Sequence, residues 1–157
     1  MIDLRVLTGD ELAPVYAWDR PYTEETWEEY RDILSAPQWV HYGVFEGMKL
    51  EACISIEKLH EAFVGVHVTK RPGGIAHEDL RDVIVALGKV LFESGISTLW
   101  CHVAQANKGA LRLVAACGME QVAENETNTV WELKAETYFA NPEKWNGQQD
   151  KDRTDAV

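Results

Sequence analysis

The chain has few cysteines, few positive charges and no long apolar run. Its three cysteines, Cys53, Cys101 and Cys117, are an odd number without metal-like spacing, which excludes a disulfide framework or a cysteine-rich metal knuckle. Each sits in an apolar segment, so buried, reduced thiols are expected. Fifteen lysines and arginines face 26 aspartates and glutamates, a formal charge of −11. That argues against a broad basic surface for nucleic acid and favours neutral or cationic partners. No stretch approaches the roughly 20 apolar residues of a membrane span. The opening MIDLRVLTGDEL lacks the basic-then-apolar pattern of a signal peptide, so a cytoplasmic protein with no membrane partner is expected. No two histidines have helical metal spacing, so no metal is expected. Gly-Lys-Ser/Thr and GxGxxG are also missing, which excludes a nucleotide P-loop and a dinucleotide fingerprint.

With 46% apolar residues, 157 residues suffice for one domain. It is expected over residues 1–134, followed by a polar tail over 135–157. Tyr138, Phe139 and Trp145 are that tail's apolar anchors, and it is expected to be flexible after Trp145. Ile2, Leu4 and Val6 alternate with polar residues and predict a half-buried strand. Thr8 and Glu11 have capping-box spacing for a short helix to about Trp18, with Pro14 near its start. Thr23 is expected to cap a second helix over Glu24–Leu34, with an apolar stripe of Trp27, Tyr30 and Leu34 and an acidic remainder. Strands over Trp39–Phe45, Leu50–Ile56 and Ala62–Thr69 form a predicted meander. A helix follows from after Gly74 to about Ser94, and a hairpin over Val122–Glu124 and Thr129–Leu133 closes the domain. This order predicts an α/β domain on a mixed sheet.

Between that helix and the hairpin, Thr98–Met119 reads as a strand (Leu99, Cys101 and Val103 on one face), a turn at Ala104–Asn107, and a helix carrying Ala110, Leu113, Val114 and Cys117. Gly118 suits a left-handed cap. Earlier, Arg71-Pro72-Gly73-Gly74-Ile75-Ala76 lies between a strand and a helix start, where unpaired N–H groups and the helix dipole suit a phosphate. Lys70 and Arg71 add positive charge, and Glu78 and Asp79 add negative charge in the first helical turn. An ordinary Pro-Gly-Gly turn remains the alternative reading of those residues.

Arg71-x-x-Gly74-x-Ala76 fits the Q/R-x-x-G-x-G/A signature of the GNAT family of N-acetyltransferases. Asn107-x-x-Ala110-x-x-Leu113, closing with Gly118-Met119, resembles that family's N-x-x-A-x-x-L-Y…G-F segment. The element order from Ile2 to Leu133 matches as well. The resemblance implies a GNAT fold, a mixed and mostly antiparallel central sheet flanked by helices. It implies direct transfer of an acetyl group from acetyl-CoA, as co-substrate, to an amine on a small molecule or a protein. Arg71, Gly73, Gly74, Ile75 and Ala76 would hold the coenzyme A pyrophosphate. Val66 and Val68 would meet the pantetheine and thioester through their backbone, and Asn107 would bind near the pantetheine arm. Val114 stands where the family often has a tyrosine that protonates the leaving thiolate.

Glu57, His60, Glu61 and His67 are the candidate general bases, with His67 and Glu61 foremost; His67 suits proton transfer near neutral pH. The acidic second helix could attract a cationic acceptor such as a polyamine, an aminoglycoside or a lysine side chain. The alternative is a GNAT fold without catalysis that serves as a binding or structural protein. The LWCHVAQAN…LRLVAACGM phrase resembles small GNAT-like proteins of tailed bacteriophages, some of them virion components. Beyond coenzyme and acceptor, the partners expected are a second copy of the chain, as a homodimer, or virion proteins.

Overall fold

A computed structural model describes residues 1–140. The fold is mixed α/β, a seven-stranded and mostly antiparallel sheet flanked by helices, as the motif resemblance implies. The described residues group into two compact units, one formed by Met1–Leu59 with Gly65–Ala76 and the other by His60–Val64 with residues 77–140.

In the first unit, β1 (Ile2–Leu7), β2 (Trp39–Glu46) and β3 (Lys49–His60) pair antiparallel in sequence order. The burial of β1 corrects the expected alternation. Leu4 is 40% and Val6 56% exposed, while Leu7 is buried. β1 is an edge strand, exposed along most of its length, with Ile2 half-buried and only Leu7 fully buried. There Arg5 lays its guanidinium over the Phe45 ring, 4.4 Å from the centroid, and Leu7 packs with Leu12, Val15 and Cys53. A 3-10 turn at Gly9–Leu12 leads into α1 (Ala13–Asp19). Its start carries the expected cap, Thr8 N–H donating to the Glu11 carboxylate at 2.9 Å.

The second helix begins later than the sequence suggests. α2 runs Trp27–Leu34, and its cap is Thr26, whose hydroxyl accepts from Glu29 N–H at 3.2 Å while Glu29 accepts from Thr26 N–H. Thr26-x-x-Glu29 completes a reciprocal capping box, whereas the Thr23 hydroxyl instead bonds the Glu25 carboxylate. β4 (Phe63–Lys70) follows β3 after a two-residue turn.

The second unit contains α3 (His77–Glu93), β5 (Thr98–Ala104), α4 (Lys108–Ala116), β6 (Glu120–Glu124), β7 (Asn128–Lys134) and α5 (Ala135–Ala140). β7 pairs with both β5 and β6. Leu99, Cys101 and Val103 are buried and His102 is exposed, so the β5 alternation is as predicted. All three cysteines are buried free thiols. Gly118 takes φ +86° as the cap of α4. Tyr138 is buried and stacks on Phe92 at 5.2 Å, so the start of the tail is an anchored helix. Trp145 lies outside the described residues. None of the helices described is long and apolar enough to cross a membrane.

Candidate active site

The segment after β4 is a tight turn with a buried support. Gly74 N–H donates to the Arg71 carbonyl at 3.0 Å, Pro72 occupies the second position, and Gly73 has φ +70° in the third. That is the type II arrangement, whose third residue needs the left-handed region that glycine enters without steric cost. Arg71 grips Glu51 with two prongs, Nε to Oε2 at 2.9 Å and Nη2 to Oε1 at 3.1 Å. Glu51 is only 5% exposed. A Cβ at Gly74 would press on Glu51 Oε2 and crowd the Arg71 carbonyl, so a side chain there would have to displace a carboxylate that Arg71 holds. Ile75 is buried, so it can offer a ligand only its backbone. The chain then enters α3, with Glu78 and Asp79 in the first turn.

His67 lies on β4 between half-buried Val66 and exposed Val68. Its ring sits 5.2 Å from that of Trp39, and its Nε2 lies 3.7 Å from Glu57 Oε1. Trp39 and Glu57 are register partners across β2 and β3, so adjacent strands bring the three side chains together. Both ionisable groups are about one-quarter to one-third exposed, partly sheltered from water. Of the candidate bases, then, His67 is joined to Glu57. Glu61 stands exposed in the turn after β3, and His60 stacks on Phe63 at 5.1 Å.

An open depression beside α2 is lined by Tyr22, Thr23, Glu24, Glu25 and Glu29. Burial, and secondarily Glu25, push the neighbouring Asp19 carboxyl above its usual range, with the Tyr30 hydroxyl acting the other way. Burial and Asp19 likewise push the Tyr30 phenol up. This corner is crowded with negative charge, and a cation would relieve it.

In the second unit, Asn107 caps α4, its Oδ1 accepting from Ala110 N–H at 3.1 Å. The cap explains an Asn three residues before Ala110 without a ligand, and leaves Nδ2 outside the cap. Val114 lies within α4. Among the described residues, no group of three or more His, Cys, Asp or Glu side chains is set to hold a metal.

Solved structures resemble this chain over most of its length. A probable acetyltransferase from Staphylococcus epidermidis has a TM-score of 0.69 at 18% identity, over 85% of this chain and 99% of that one. A ribosomal-protein alanine N-acetyltransferase from Escherichia coli has 0.71 at 16%, over 86% and 94%. A dodecameric spermidine N-acetyltransferase from Vibrio cholerae has 0.72 at 13%, over 87% and 95%. The chain has the GNAT fold. No family model and no curated protein sequence matches it. Nothing in these likenesses supports a bacteriophage origin or a virion role.

Reading the sequence missed Glu51. The signal was a lone carboxylate at the head of the apolar run Ala52–Ile56, since a charge on a buried strand needs a cation.

Proposed function

We propose that this protein is an acetyl-CoA-dependent N-acetyltransferase acting on a cationic amine. The observation that carries the reading is the type II turn Arg71–Gly74, preformed between the end of β4 and the start of α3 in a GNAT fold. Its residues fit a diphosphate through their backbone: glycines at 73 and 74 admit close approach, and the Arg71–Glu51 pair fixes the turn before a ligand arrives. Arg71, Gly73, Gly74, Ile75 and Ala76 take the coenzyme's diphosphate, Val66 and Val68 align its pantetheine arm by backbone contacts, and Asn107 Nδ2 remains a candidate for that arm.

Acetyl transfer forms a C–N bond and breaks the thioester C–S bond, and the acceptor ammonium must first lose a proton. His67 accepts it, and Glu57 stabilises the resulting imidazolium. With Val114 in the place of a tyrosine, the departing thiolate takes its proton from water. The depression at Tyr22–Glu29 attracts the cationic acceptor, a polyamine being the best match to several carboxylates in one place.

The test is thiol release from acetyl-CoA across a panel of amines. The expected result is turnover with polyamines, weaker with neutral amines. No thiol release with any amine would contradict the reading and leave a GNAT fold without catalysis.

A further inference from the structure

The β2–β3 ladder steps out of register where the candidate turn is anchored. Val44 pairs with Ala52 and Phe45 with Leu50, so Glu51 is an extra residue of β3, a β-bulge. Bulges redirect a side chain and often lie next to functional sites. Here the bulged residue is a buried carboxylate. Its carbonyl accepts Arg71 N–H at 2.9 Å, and its side chain holds the Arg71 guanidinium by Nε and Nη2. One residue thus fixes both the backbone and the side chain of Arg71. It also lies against Gly74, where a side chain would have to push the carboxylate aside.

We infer that Glu51 is the positioning residue of the Arg71–Ala76 turn, holding Arg71 as a strut, with the turn's backbone left to meet the coenzyme's diphosphate. A two-pronged Arg–carboxylate pair is geometrically demanding and neutral in sum. With side-chain exposures of 29% for Arg71 and 7% for Glu51, separating the pair would leave a carboxylate in a dry environment, which is costly. A diphosphate therefore meets an arginine whose charge is already matched. This inference rests on the coenzyme reading for its ligand, but the positioning of the turn can be measured without one.

The variants Glu51→Gln and Arg71→Gln, and the two combined, are compared by amide hydrogen exchange at residues 71 and 74, whose N–H groups are hydrogen-bonded, in the ligand-free protein. Coenzyme A affinity is then measured by calorimetry at two salt concentrations. The expected result is at least tenfold faster exchange at the turn in either single variant, with β1 amides unchanged. The coenzyme should bind about tenfold more weakly in each single variant, and no more weakly still in the double variant. The salt dependence of Arg71→Gln should match that of the wild type. If Glu51→Gln does not fold, Arg71→Lys, which keeps the charge and loses the fork, is read by the same exchange. Unchanged exchange overturns the positioning role. Equal or tighter coenzyme binding in Glu51→Gln, with weaker binding in Arg71→Gln, overturns the strut and makes Arg71 a direct ligand. Faster exchange in the variants of a protein that binds no coenzyme supports the positioning role while removing the coenzyme reading.

Discussion

Nε2 of His67 lies 3.7 Å from Oε1 of Glu57, and the residue opposite Glu57 in the ladder, Trp39, flanks the same imidazole. A histidine beside a carboxylate and against an aromatic wall is restrained in orientation, which a base needs if it is to meet an acceptor repeatedly in one geometry. The contact is longer than a hydrogen bond, so an acceptor could tighten it on binding.

His67→Gln should lower kcat for acetyl transfer by about a hundredfold or more, the usual scale for a general base, and remove the acid limb of the pH profile. Glu57→Gln should lower kcat less, with KM for the amine unchanged. Steady-state kinetics over pH 5.5–9 would check both, and an unaltered profile in His67→Gln would remove it from the mechanism.

His41 gives a stability prediction independent of activity. Its Nδ1 meets Ser55 Oγ at 2.7 Å and its Nε2 meets the Leu34 carbonyl at 2.7 Å. Burial lowers its pKa from 6.5, with the Leu34 hydrogen bond acting the other way. The unfolded chain therefore binds this proton first as pH falls. The contribution to stability is complete above pH 6.5 and is lost as pH drops from there through the lower folded value. Urea unfolding at pH 7.5 and 5.5 should show a fall in stability that His41→Gln reduces.

The thiols should be inert in the folded state. Burial pushes Cys53 up to about 11 and both Cys101 and Cys117 up to about 12, and the thiolate is the reactive form. Iodoacetamide at pH 8 should leave native protein unlabelled and modify all three after unfolding in guanidinium, as read by mass spectrometry.

Asn107→Ala removes the side-chain acceptor at the start of α4. The expected loss is about 1 kcal/mol in urea unfolding. A larger loss of coenzyme affinity than of stability would show that the residue also touches the ligand.

The order of elements was legible in the sequence because local signals agreed with the fold. Leu99, Cys101 and Val103 announced β5 by alternation, and Asn107 and Gly118 marked the ends of α4. The misread details share a cause: each was decided by a competing neighbour. Thr23 and Thr26 both look like caps, and Thr26 prevails because Glu29 can return the hydrogen bond. Leu4 and Val6 look inward by pattern, yet they stay exposed on an edge strand, and only Leu7 enters the apolar cluster, while Arg5 covers the Phe45 ring from the solvent side. At the candidate site, the Arg71–Ala76 turn was visible as a motif. The Glu51 bulge beneath it was not, because a register step between Val44 and Phe45 leaves no local mark. The His67–Glu57 pairing depends on strand neighbours, so the sequence put Glu61, nearer in the chain, ahead of Glu57.

Coenzyme A binding to the full chain tests the central claim most directly. Calorimetry should give a saturable heat of one coenzyme per chain, and ligand at one hundred times its Kd should stabilise the fold by about 2.7 kcal/mol in parallel thermal unfolding. Absence of both heat and thermal shift at millimolar coenzyme A would contradict the account.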